Sequence, residues 1–155
     1  MGILKITIDT NIFINVKEEE DPFFEYSSKI LNAIEQGQLK GVISIITIVE
    51  LCVGYYNINK PIEKDEFISK LYSQDNYAII DLDRTLADQS AKIRSEINLK
   101  LPDCIIVATS LQENAFFLIS NDKKFDRAKD VIKVCSSEDF CKKYLSSKES
   151  SNENG

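Results

Sequence analysis

Short apolar runs alternate with longer stretches of helical periodicity along most of this chain. Ile3, Leu4, Ile6 and Ile8 make the first run and Gly41-Val42-Ile43-Ser44 the second. Tyr77-Ala78-Ile79-Ile80, Phe116-Phe117-Leu118-Ile119 and Val131-Ile132-Lys133-Val134 follow. Runs this short and this apolar predict strands buried on both faces of a parallel sheet. Between them, helices are predicted at 10–16, through the face Phe23, Phe24, Tyr26, Ile30, Leu31 and Ile34, and at 45–56, 62–73, 84–98 and 137–144. A further helix opens at Pro102, since proline suits a first turn. Gly37 is a natural stop for the second helix, and Ser44 and Asp83 are natural N-caps for the third and fifth. Strands alternating with helices predict an α/β sandwich, a mainly parallel central sheet of four or five strands flanked by helices.

The helix at 45–56 is apolar almost all round, through Ile45, Ile46, Ile48, Val49, Leu51, Cys52, Val53 and Tyr55. Such a helix is expected to be mostly buried. Glu50 stands in its middle with Ile46, Thr47, Val53 and Gly54 as its helical neighbours, so no intrahelical cation offsets its charge. A buried, unpaired carboxylate must pair elsewhere, stay protonated or bind a metal. The bland alternative places Glu50 on a narrow polar stripe shared with Thr47 and Gly54.

Three more carboxylates occupy comparable settings. Asp9 ends the first strand where a helix begins, and Asp122 follows the fourth strand through Ser120 and Asn121. Asp103 stands directly behind Pro102, at a helix N-terminus whose dipole favours its charge. Each has a structural reading of its own, as a cap or a simple helix start. Together they suggest more, because right-handed crossovers bring the C-terminal ends of parallel strands to one edge. Asp81 and Asp83 form a D-x-D after the third strand. There Asp83 reads as a cap, and Asp81 as loop or accessory acid.

Composition narrows the chemistry. The 155 residues contain no histidine, which removes His-based acid–base and triad chemistry and the commonest zinc ligand. Four clustered carboxylates in a partly dry site repel one another and need hard cations. With oxygen ligands alone, Mg²⁺ or Mn²⁺ fits best, and such sites commonly hydrolyse phosphodiesters. A net charge of −6 argues against a broad non-specific nucleic-acid binder but not against a nuclease with acids around its metals. Cys52, Cys104, Cys135 and Cys141 contain no C-x-x-C pair and are expected to be free thiols. No apolar run approaches the ~20 residues needed to span a bilayer. The start of the chain lacks the plan of a secretory signal, so a cytoplasmic location is expected. One domain over 1–145 is expected, with the apolar-poor segment 146–155 as a disordered tail.

Four segments carry a family resemblance. Ile8-Asp9-Thr10-Asn11-Ile12-Phe13-Ile14 is the first and Thr47-Ile48-Val49-Glu50-Leu51-Cys52-Val53-Gly54 the second. Leu101-Pro102-Asp103-Cys104-Ile105-Ile106-Val107-Ala108-Thr109 and Leu118-Ile119-Ser120-Asn121-Asp122-Lys123-Lys124-Phe125 complete the set. In this order and spacing they resemble the signature segments of PIN-domain nucleases, above all the VapC-like toxin ribonucleases of toxin–antitoxin modules. The resemblance implies a PIN-like three-layer sandwich and RNA cleavage dependent on Mg²⁺ or Mn²⁺. It also implies frequent homodimers and often a small antitoxin that inserts into the active site. By matching position it implies Asp9, Glu50, Asp103 and Asp122 as the acidic quartet, with Asp126 as runner-up for the fourth acid. Asn11 matches the polar residue that orients the first aspartate, and Ser120 stands where threonine is more usual but keeps the hydroxyl.

Lys123, Lys124 and Arg127 form the clearest basic cluster and adjoin an acid, so they are expected to guide RNA to the pocket. Other readings remain. A HAD-type phosphatase needs a second aspartate where this chain has Asn11. A receiver domain needs its acid at the end of a middle strand. A housekeeping RNA-processing nuclease and a non-enzymatic PIN-like interaction module keep the same segments.

Overall fold

The computed structural model describes residues 2–145, so the expected tail at 146–155 lies outside the described residues. Strands β1 (Leu4–Ile8), β2 (Leu39–Ser44), β3 (Tyr77–Ile80), β4 (Phe117–Ile119) and β5 (Val134–Cys135) form one sheet in the order β3-β2-β1-β4-β5, every pair parallel. The chain leaves β1 toward β2 and β3 on one side and returns through β4 to the other. The order therefore reverses between β1 and β4, where open α/β sheets form the crevice that holds ligands.

Alternation along the strands explains the helices on both faces. Ile6, Ile8, Ile43 and Ile119 point into one core, with Ile12 and Phe13 of α1 (Thr10–Lys17), Ile30 and Ile34 of α2 (Phe24–Glu35) and Leu51 of α3 (Ile45–Asn57). Leu118 points into the other, with Leu86 and Ile93 of α5 (Arg84–Glu96), Ile106 and Val107 of α6 (Leu101–Gln112) and Phe125 of the 3₁₀ helix Lys123–Ala128. The sheet thus lies between two helical layers, as its apolar runs predict. Each fully buried Ile or Leu contributes roughly 1.5–3 kcal/mol through removal of apolar area from water. Thr7, between Ile6 and Ile8 and turned to the opposite face, is buried with its hydroxyl 2.9 Å from that of Ser110 on α6.

Local signals set most of the boundaries. Gly37 takes φ 78°, and the Gly37 and Gln38 N–H groups close the end of α2 on Ile34 and Ala33 carbonyls at 3.0 and 2.8 Å. Ser44 and Asp83 accept from Ile46 N–H and Leu86 N–H at 3.2 and 2.8 Å, each capping the helix behind it. Helix α4 (Pro61–Ser73) is a surface element that buries Leu71. Among the described residues no disulfide joins Cys52, Cys104, Cys135 or Cys141. Among the described residues no helix is long and apolar enough to cross a membrane.

Three elements depart from expectation. The last strand is Val134–Cys135 rather than 131–134, because the Val131 and Ile132 N–H groups turn back onto the Ala128 carbonyl at 2.9 and 3.0 Å. The last helix is one α-turn, α7 (Ser137–Phe140), that continues as a π-turn over Cys141–Leu145. Helix α3 is buried only at Thr47, Ile48, Leu51 and Tyr55. Val49, Val53 and Tyr56 are each at least half exposed and form a stripe spaced by one and two turns. An apolar circumference predicts a mostly buried helix, but the folded chain supplies neighbours on one side of this helix only.

Candidate active site

Asp9 is the residue most firmly built into the structure. Strand pairing carries past β1 itself, since the Asp9 N–H donates to the Ile119 carbonyl at 3.1 Å. The side chain, 3% exposed, accepts from Thr10 N–H at Oδ1 and from the Ser120 hydroxyl at Oδ2, both at 2.8 Å. Ser120 is anchored from the far side, its own N–H donating to the Cys135 carbonyl at 3.0 Å. Its oxygen also accepts from Asp122 N–H at 3.0 Å, so one hydroxyl sets the positions of two acids.

Burial pushes the Asp9 carboxyl up to about 6. The Ser120 hydrogen bond, the Lys124 charge and the Thr10 N–H oppose this rise, while the Glu50 charge adds to it. A carboxylate that stays perturbed despite two hydrogen bonds is a carboxylate short of positive charge.

Asp103 lies in the first turn of α6, buried, and Asp122 caps the 3₁₀ helix from an exposed position, accepting from Lys124 N–H at 3.0 Å. One cation joins them. The Lys124 ammonium stands 3.0 Å from Asp103 Oδ1 and 3.6 Å from Asp122 Oδ2, and its charge also reaches Asp9. Partial burial alone would lower the Lys124 pKa. The hydrogen bond and charge of Asp103, with Asp9 and Asp122, outweigh that and hold it above the usual lysine range.

Glu50 is exposed, which corrects the expectation of a buried, unpaired acid. The exposed side of α3 carries it toward α1, where its Oε1 accepts from the Thr10 hydroxyl at 2.8 Å. Thr10 also shares a hydrogen bond of 3.1 Å with Thr47, one turn earlier on α3. Thr10 therefore holds Asp9 through its N–H and Glu50 through its side chain.

Other expected residues are placed differently. Asn11 does not hold Asp9: its side chain makes no hydrogen bond among the described residues, and its buried Oδ1 is left without a partner. Arg127 donates to the Asn98 carbonyl at 2.8 Å, which ties it to the segment before α6. Asp126 pairs with Lys129 at 3.2 Å, and both line the cavity beside Ser120 and Asp122. Asp81 is exposed, and Asp83 serves as the cap of α5. Lys123 is exposed and carries no side-chain partner among the described residues. Beside Ser120 and Asp122 opens a cavity of about 390 Å³, lined among others by Phe23, Lys123, Lys129 and Asp139.

Sequence reasoning missed two features. The hydroxyls of Thr10 and Thr47 are ordinary helix residues in the sequence, and only the packing of α1 on α3 brings them together. Asn15, Ser27, Asn121 and Ser137 form a polar network in which Asn121 Nδ2 donates to Asn15 at 3.0 Å. Ser137 donates to Asn121 Oδ1 through both N–H and hydroxyl at 3.0 and 2.9 Å. This network pins the loop between β4 and Asp122 to α1, α2 and α7.

The donor set suits a hard divalent cation: only oxygens converge, two of the carboxylates are buried, and an ammonium already serves as counter-ion to three of them. Among the described residues, no three acidic, histidine or cysteine side chains stand close enough to hold an ion unaided. Lys124 lies among the acids instead.

A family model, PIN domain, matches residues 6–131. No curated protein matches. Among solved structures, a toxin–antitoxin complex from Klebsiella pneumoniae is 25% identical with a TM-score of 0.65, covering 85% of this chain and 97% of its own. VapBC2 from Rickettsia felis, bound to a DNA fragment from its promoter, is 19% identical with a TM-score of 0.66, covering 86% of this chain and 98% of its own. Mycobacterium tuberculosis VapC20, a sarcin–ricin loop cleaving toxin, is 12% identical with a TM-score of 0.65, covering 79% and 94%. Identities of 19% and 12% show likeness of fold.

Proposed function

Because the chain belongs to the PIN-domain family, we propose that it is a divalent-metal-dependent endoribonuclease and the toxin of a toxin–antitoxin pair. One observation carries the catalytic part. At the switch point of the sheet, Asp9 is sealed by Thr10 and Ser120 while Asp103 and Asp122 share the Lys124 ammonium. Carboxylates collected in this way without enough positive charge support the reading that a cation joins them.

Asp9, Asp103 and Asp122 would hold Mg²⁺ or Mn²⁺, with Glu50 at the rim as a further ligand or an acceptor for the attacking water's proton. Such an ion supplies a more acidic bound water and stabilises charge on the phosphate oxygens. The protein's own contribution is placement. Ser120 fixes Asp9 relative to Asp122, and Thr10 fixes Asp9 relative to Glu50. The adjoining cavity, with Phe23 and Lys123 at its wall, offers an aromatic face and a cation to an RNA strand.

The toxin part draws on the likeness to the Klebsiella pneumoniae toxin–antitoxin complex and to the sarcin–ricin loop cleaving toxin VapC20. It also draws on the exposed Val49, Val53 and Tyr56 stripe next to Glu50, an apolar surface suited to a protein partner such as an antitoxin or a second copy.

One observation favours the non-enzymatic alternative, an interaction module: the Lys124 ammonium in contact with Asp103. RNA cleavage by the purified chain in Mg²⁺ or Mn²⁺ decides between them. Cleavage lost in EDTA and in Asp9→Asn and Asp103→Asn is the expected result. Cleavage unchanged in EDTA, or in both variants, overturns the metal-dependent nuclease. Expression should arrest growth and Asp9→Asn should relieve it. A harmless wild type would favour a housekeeping nuclease.

A further inference from the structure

The basic cluster after β4 does not act as a unit. Lys123 faces solvent and Arg127 is committed to the Asn98 carbonyl. Lys124 turns inward, 3.0 Å from the buried Asp103 and 3.6 Å from Asp122. Its backbone explains the direction: the Lys124 N–H is itself bound to Asp122 Oδ1 at 3.0 Å, which starts the 3₁₀ helix with this residue beside the acids. Phe125, the next residue, is fully buried in the core under α6 and locks the turn.

We infer that Lys124 is a tethered competitor for the metal: its ammonium neutralises Asp103 and Asp122 in the metal-free protein and must leave before a divalent ion can take those oxygens. The inference rests on the metal-site reading above and adds to it how tightly the ion is held. A buried carboxylate such as Asp103 is costly without a counter-charge, so the lysine supports the metal-free fold. The same contact weakens metal binding, because the ion gains Asp103 and Asp122 only by losing the ammonium from them. An ammonium on a flexible stem suits this role. It is a point charge that can swing away, whereas a guanidinium would clamp the carboxylate through two parallel bonds. Once displaced, Lys124 is free to meet an RNA phosphate, which links metal loading to substrate binding.

Calorimetric titration of the full chain with MnCl₂ tests this without reference to cleavage. Lys124→Gln should tighten Mn²⁺ binding by about ten-fold or more, because it removes a competing charge within direct contact distance of two ligands. Lys124→Arg should not tighten it. Lys129→Gln, a charge loss on the next turn paired with Asp126, should shift affinity by less than about two-fold, as expected for a solvent-screened charge. In the wild type, Mn²⁺ should raise the rate of Lys124 acetylation by an amine-reactive reagent, read by mass spectrometry against Lys129. Circular dichroism of each variant establishes that it is folded. The wild-type labelling arm does not depend on any variant.

Equal or weaker Mn²⁺ binding by folded Lys124→Gln overturns the inference. So does an equal gain in Lys129→Gln, or Mn²⁺ that protects Lys124 from acetylation. Failure of the nuclease reading looks different. A chain that binds Mn²⁺ more tightly as Lys124→Gln but cleaves no RNA keeps the competitor and loses the ribonuclease. A chain that cleaves RNA with unchanged Mn²⁺ affinity in Lys124→Gln does the reverse. No Mn²⁺ binding by the wild type or by Lys124→Gln removes both.

Discussion

Asp9 and Glu50 are joined through a single residue, Thr10, yet one is sealed at the switch point of the sheet and the other stands at its solvent rim. Asp9 is positioned by groups that the fold cannot easily move: a strand-end N–H, a helix N-terminal N–H and a hydroxyl anchored to β5. Glu50 is positioned by one threonine hydroxyl on a helix whose outer face is open. A buried acid is fixed and electrically starved, so it defines where positive charge must go. A rim acid is solvated and adjustable, so it can follow substrate or water. Asp103 is buried like Asp9 but holds the Lys124 ammonium at 3.0 Å, and Asp122, exposed but tied to Ser120, lies between the two kinds.

Charge removal should separate the two acids most widely. Asp9→Asn should lower the rate of RNA cleavage by about 10³-fold, a loss of about 4 kcal/mol in transition-state stabilisation. Glu50→Gln should cost clearly less, and equal losses in a side-by-side assay would erase the distinction drawn here. Next in size is Ser120→Ala. It removes the group that holds Asp9 and Asp122 together, and a loss of about 10–100-fold in activity or metal affinity is expected. Thr10→Val leaves the Thr10 N–H on Asp9 and releases only Glu50, so its loss should fall below that of Ser120→Ala.

A pH measurement sharpens the same contrast. With its carboxyl near 6 in the fold and an ordinary value when unfolded, Asp9 binds its proton more tightly in the native state. The stability this contributes is present below pH ~4 and is lost as pH rises through about 6. A shift of two pH units corresponds to about 3 kcal/mol. Metal-free melting curves in EDTA should therefore show Asp9→Asn gaining stability over the wild type between pH 5 and 7, and no change in that difference would contradict the electrostatic description of Asp9. The smallest effect is expected at the basic cluster. Lys123→Ala should weaken RNA binding and reduce its salt slope by about one, with Arg127→Ala changing stability more than RNA affinity. The reverse order would return Arg127 to the RNA path.

Most of the fold was legible because it depends on local patterning. Short apolar runs predict four of the five strands closely, and Gly37, Ser44 and Asp83 mark helix ends through chemistry confined to a few residues. Two errors of the sequence reading have one cause each. The fifth strand was placed too early because Val131 and Ile132 are apolar, but their N–H groups are taken by the turn that ends the 3₁₀ helix. Helix α3 was placed in the core because it is apolar all round, whereas burial depends on which neighbours the fold provides.

The acids show the same division. Strand ends and a proline-led helix start point Asp9, Asp103 and Asp122 to one sheet edge from sequence alone, because parallel strands share the direction of their C-terminal ends. What each side chain touches was decided only by the tertiary structure. Ser120 reaches Asp9 across 111 residues of chain and Thr10 reaches Glu50 across 40, separations at which no periodicity carries information. Lys124 and Arg127 read in sequence as one basic patch. Positions three apart share a face of a 3₁₀ helix, so it is the packing around the turn that gives one the carboxylates and the other the Asn98 carbonyl. By itself the sequence determined the alternation of strands and helices and the acids that stand at their ends. Packing determined which of those acids is sealed, which is open, and which lysine stands among them.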